Sequence, residues 1–131
     1  MAAEVQERFD VIEECYEFML AYAAQGLASE RGSESGRQVR EYLNRAARAL
    51  TGLPEHCAEA IGGRRPAFLD VLARDANDSL AAIELVLAQP SISSQLIDNL
   101  NASVHLRALL TDVFLLGEVL SGQQVALARA I

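Results

Sequence analysis

Apolar positions along the chain recur three and four residues apart in four long stretches, the spacing that lines one face of a helix. The longest runs from Ser93 to Gly122 with no proline and one internal glycine, Gly117. Leu106, Leu109, Val113, Leu116 and Leu120 share one face of it, and from Leu109 to Leu120 only Thr111, Asp112, Gly117 and Glu118 interrupt the apolar residues. A helix that is apolar nearly all round needs cover on all sides, from its own fold or from another copy. The pattern predicts a single helix here.

The first helix is predicted over residues 3–25, with Val5, Phe9, Ile12, Tyr16, Met19 and Ala23 as its seam. A flanking row of Val11, Cys15, Phe18 and Tyr22 widens the apolar arc beyond what one neighbour needs. Breakers at Gly26, Gly32 and Ser33 predict a turn, and Ser35 followed by Gln38 predicts a capping box for a second helix over 36–51. Val39, Leu43, Ala46 and Leu50 form its seam. Pro54 opens a short helical turn over 54–61, since proline suits the first helical position. A third long helix starts at Pro66 and stops near residue 88, before Pro90, with Leu69, Leu72, Ala76, Leu80, Ile83 and Leu87 inward. The tight Pro90 turn and the serines at 91, 93 and 94 predict a hairpin with the helix that follows. Beyond a break at Gly122, residues 122–131 are expected to fold back as a short helix or to exchange with another copy. No useful stretch alternates with period two, so no sheet is expected. The sum is an all-α domain over residues 1–131: an antiparallel four-helix bundle with a short extra turn and a C-terminal helix or tail.

A chain of 131 residues can build its core without covalent staples. Cys15 and Cys57, the two cysteines, therefore read as reduced thiols of a cytoplasmic protein, although spacing alone leaves a bond between them open. Charges at Met1 to Asp10 argue against a secretory signal, and no window reaches the length of a membrane span. A net charge of −7 disfavours nucleic acid and anionic membrane as partners. Every basic residue is arginine, which removes lysine-based chemistry and reads mainly as genomic bias.

Candidate chemistry is sparse. Glu7, Asp10, Glu14 and Glu17 lie opposite the seam of the first helix, whereas carboxylate ligands in a bundle point inward. Glu13 borders the apolar arc and is the carboxylate most open to burial. The neighbours His56 and Cys57 lack the spacing of a zinc site, and a Cys–His catalytic pair meets across a fold rather than along a chain. Gly62-Gly63-Arg64-Arg65 lacks the phosphate-loop pattern and reads as a basic hinge. Asp98, Asn101, His105 and Asp112 form a polar stripe that reads as solvated. Neither histidine sits in the setting of a phosphotransfer histidine, and the histidine and inward carboxylate sets of haemerythrin- and ferritin-like bundles are missing.

Two functional classes remain. The first is a non-enzymatic protein–protein interaction module, an oligomerising adaptor, chaperone or regulator, that forms a homodimer or meets a helical partner through Phe18, Tyr22, Phe114, Leu115 and Val119. In that reading Arg37, Arg40, Arg45 and Arg48 offer a stripe for an anion or an acidic partner, or simply a solubilising face in which Glu41 pairs with Arg45. It has no cofactor, metal or catalytic residue. The second is a small ligand- or metal-binding bundle, with or without catalysis, built on inward polar residues such as Glu13, Tyr16, Tyr22, Cys15 or His105.

Overall fold

The computed structural model describes the backbone of residues 2–63 and 65–130 and the side chains of 3–63 and 65–122. Among the described residues the fold is all-helical: α1 (Ala2–Ala24), α2 (Glu34–Leu50), α3 (Leu53–Ala60), α4 (Phe68–Leu87), α5 (Ser94–Ala102) and α6 (Val104–Ala130). No helix of the described residues is long and apolar enough to cross a membrane.

α1 buries Val5, Phe9, Ile12, Cys15, Met19 and Tyr22. Cys15 and Tyr22 thus take the inward places expected of Tyr16 and Ala23, because α1 touches several helices and its buried stripe drifts around the axis. α2 runs antiparallel to it: Phe18 stacks on Tyr42 at 4.2 Å, and Glu14 reaches Arg45 at 3.3 Å. Further along, Arg8 Nη1 donates to the carbonyls of Arg48, Ala49 and Thr51 at 3.2, 3.0 and 2.9 Å. A guanidinium there satisfies carbonyls that the end of α2 leaves without helical partners.

Ser33, not Ser35, caps α2, its hydroxyl accepting from Gly36 N at 2.9 Å. The helix starts earlier than expected because Gly36 lets it close down on the preceding turn. A Cβ at Gly36 would lie 1.9 Å from the Glu30 carbonyl oxygen.

The expected single helix from Ser93 to Gly122 is two helices. Ser103 holds an extended conformation (φ −62°, ψ 146°), and its hydroxyl accepts from Leu106 N at 3.3 Å. A serine hydroxyl that satisfies the amide three residues on competes with the helix it interrupts and starts a new one. α5 then packs on α1, where Tyr22 donates to Ile92 O at 2.7 Å. Ser94 Oγ donates to Tyr22 O and accepts from Leu27 N at 2.5 and 2.8 Å. α6 runs antiparallel to α4, since Ser79 Oγ donates to His105 O at 3.0 Å while Phe68, at the other end of α4, shares a groove with Leu115 and Val119. The seam Leu106, Leu109, Val113, Leu116 and Leu120 is buried as expected. α6 continues to Ala130 without the break expected at Gly122. The predicted packing of Val125, Ala128 and Ile131, and the place of Arg64, lie outside the described residues.

Candidate interaction surface

Alternation of buried and open positions along α6 places Phe114, Leu115 and Val119 on its outer side, 54%, 50% and 45% exposed. Glu118 lies among them and is exposed. Glycines 117 and 122 have nothing near the position a Cβ would occupy, so the backbone is open to close approach there. Beside this face lies a groove of about 630 Å³, formed by Ile61 and Phe68 with Leu115, Leu116 and Val119, and completed by Arg65 and Pro66. The groove exists because paired left-handed glycines, Gly62 (φ 80°) and Gly63 (φ 79°), turn the chain out of α3 before α4 begins.

The other two expected interface residues face inward. Tyr22 is fully buried, and Phe18 is partly buried with its ring 5.9 Å from that of Tyr22. The wide apolar arc of α1 is consumed by α2 and α5, so Tyr22 is core rather than contact surface.

The arginine stripe does not act as a unit. Arg40 donates to Glu30 through Nε and Nη2 at 2.8 and 2.9 Å, and to the carbonyls of Leu87 and Gln89 at 2.8 Å each. Glu30 also accepts from Ile92 N at 3.1 Å, and these bonds hold its carboxyl below the usual range. Arg37 meets Glu34 at 2.8 Å. Arg45 pairs with Glu14 instead of Glu41 and lies 5.6 Å from the Tyr42 ring centre. Arg48 alone of the four has no ion-pair partner among the described residues.

Cys15 and Cys57 are free and buried, and burial pushes their thiols up to about 12 and about 11. Neither is poised for nucleophilic work, which needs a thiolate. His56 is partly buried with Nδ1 3.3 Å from Glu4. His105 lies 4.0 Å from Asp78 of α4 rather than beside Asp98 or Asp112. Glu13 is partly buried, and its carboxyl is raised by that burial and by Asp10 and Glu17. No group of three or more histidine, cysteine or acidic side chains suited to a metal ion occurs among the described residues.

The polar stripe of the predicted fourth helix is divided. Asp98 and His105 are exposed, but Asn101 and Asp112 are 8% and 4% exposed. Asp112 Oδ2 has no hydrogen-bond partner among the described residues. Burial, then the neighbouring Asp75 carboxyl of α4, push Asp112 up to about 7. The spacing held the signal: position 112 is three after Leu109 and four before Leu116, squarely on the seam. No family model, curated protein or solved structure matches the chain.

Proposed function

We propose that the chain is a non-enzymatic interaction module, an antiparallel helical bundle that works as an adaptor, chaperone or regulator and dimerises through the outer side of α6. One observation carries this reading: Phe114, Leu115 and Val119 stand exposed next to an apolar groove to which Leu115 and Val119 also belong. Contiguous exposed apolar surface marks contact sites, whereas scattered apolar residues do not.

A second copy is the partner that the surface suits. In a two-fold contact each copy offers the same patch, so the patch must be self-complementary. This one carries apolar residues, glycines open to close approach, an acidic Glu118 and a basic Arg65. Among the described residues the ion-pair contact of Arg65 is a 3.8 Å approach to the exposed Asp70, which leaves it able to turn to a facing Glu118.

Size-exclusion chromatography with light scattering tests the proposal. The expected result is a dimer at micromolar concentration, converted to a monomer of unchanged helix content by Phe114→Glu. The ring is half exposed, so the charge should not disturb the core. A monomeric parent chain, or a variant that dimerises as well as the parent, would remove the support.

A further inference from the structure

A second concavity, of about 440 Å³, lies where α1, α5 and α6 meet, beside the helix break at Ser103. That volume is within the range of small-molecule sites. Tyr16 of α1, Asp98 and Asn101 of α5, and Arg107, Leu110 and Phe114 of α6 line it.

Three of these side chains hold polar capacity that the fold leaves unused. Asn101 is 8% exposed, and its Oδ1 has no hydrogen-bond partner among the described residues. An orphaned buried amide oxygen has lost its water without gaining a partner and calls for a reason. No partner among the described residues fixes the amide, so it can turn either its N–H or its carbonyl toward a guest. Asp98 and Arg107 carry opposite charges in the same cleft, yet neither has an ion-pair partner among the described residues, including each other. The apolar Leu110 and the half-exposed Phe114 ring line the same cleft.

We infer that this cleft binds a free amino acid with an apolar side chain. Arg107 takes the carboxylate, Asp98 takes the ammonium, Asn101 supplies a hydrogen bond between them, and Leu110 and Phe114 receive the side chain. A molecule with one charge would satisfy one side of the cleft and leave the other charge unpaired. Both charged residues are solvent-exposed, so the affinity is modest, with Kd in the range of about 0.1–1 mM.

The cleft shares Phe114 with the proposed dimer face, so ligand binding is read at Asn101 and Arg107 while light scattering on the same sample reads oligomeric state. NMR titration of the full chain with L-leucine should give saturable shifts at the Asn101 side-chain amide and at Arg107. The analogues 4-methylpentanoate, without the ammonium, and 3-methylbutylamine, without the carboxylate, should each bind at least about tenfold more weakly. Asp98→Asn and Arg107→Gln alter exposed side chains and leave the core alone. Each should weaken leucine by about tenfold or more, with D98N sparing 4-methylpentanoate and R107Q sparing the amine. Absence of saturation by leucine and by phenylalanine up to about 10 mM would overturn the inference. So would equal affinity for leucine and either singly charged analogue, or unchanged leucine binding in both variants. A monomeric protein that binds leucine would refute the dimer while upholding the cleft, and the reverse result would separate them equally well.

Discussion

The guanidinium of Arg40 grips the carboxylate of Glu30 in a two-point contact, with Nε to Oε2 at 2.8 Å and Nη2 to Oε1 at 2.9 Å. Each partner also binds backbone from elsewhere: Arg40 holds the carbonyls of Leu87 and Gln89, and Glu30 holds Ile92 N. The pair therefore ties the α1–α2 turn, α2 and the α4–α5 connection into one joint. Paired donors and acceptors in a planar fork are stronger than a point contact between the same charges.

Loss of that joint should be costly for a surface-proximal pair. The side chains are 35% and 19% exposed, which discounts the figure for a fully buried ion pair. Arg40→Ala and Glu30→Gln are expected to lower stability by about 2 kcal/mol each, measured by urea unfolding. Arg40→Lys should recover only part of the loss, because an ammonium cannot reproduce the fork. Because Glu30 is held below its ordinary value, its contribution is present above that value and fades as pH falls through the lowered one.

Gly36 should be irreplaceable for a steric reason. The Cβ of alanine would meet the Glu30 carbonyl oxygen at 1.9 Å, and that obstacle is backbone, not a side chain that can swing aside. Alanine favours helix over glycine by about 1 kcal/mol, yet Gly36→Ala is expected to destabilise by about 1–3 kcal/mol as α2 is pushed off the turn. Thermal unfolding followed by circular dichroism gives the sign directly.

Helix periodicity made the core of α2 and α6 legible, since each buries its seam against neighbours on one side. It misplaced part of α1 and α4, where Cys15, Tyr22, Ser79 and Val86 are buried while Tyr16, Leu80 and Leu87 are only partly so. A helix with several neighbours has more than one inward direction, and a single stripe cannot describe that. The break at Ser103 was missed because apolar spacing on either side continues across it, and one hydroxyl decides it. The Arg40–Glu30 joint was illegible because its groups come from a turn, a helix and the carbonyls at and just beyond the end of α4, far apart in the chain. Exposure of Phe114, Leu115 and Val119 followed from the simple excess of apolar positions on α6.

Tyr22 offers a clean test of whether its burial has a polar purpose. Its hydroxyl donates to Ile92 O at 2.7 Å within the core. Tyr22→Phe keeps the ring and leaves that carbonyl without this donor, so a loss of about 1–2 kcal/mol is expected in chemical denaturation. Tyr22→Glu should prevent folding altogether, unlike Phe114→Glu, because a core position cannot hold an unpaired charge. If Tyr22→Glu stays folded and monomeric, Tyr22 belongs to the contact surface after all.

Asp112 should give the protein an inverted pH response near neutrality. Its folded value is pushed up to about 7, while an unfolded aspartate titrates near 3.9. Between those values the folded chain holds a proton that the unfolded chain has released. Stability then falls as pH rises through that window and levels off above it, the reverse of a carboxylate held low like Glu30. Asp112→Asn replaces the acid with a neutral group of the same shape, removing both the proton and the buried charge beside Asp75. Unfolding free energies of parent and variant at pH 5 and pH 8 should therefore diverge, with the variant ahead at pH 8 by on the order of 2 kcal/mol. Asp75→Asn should shift the same transition downward, since it removes the charge facing Asp112. A difference between parent and D112N that does not change with pH would mean that Asp112 titrates as an ordinary carboxylate.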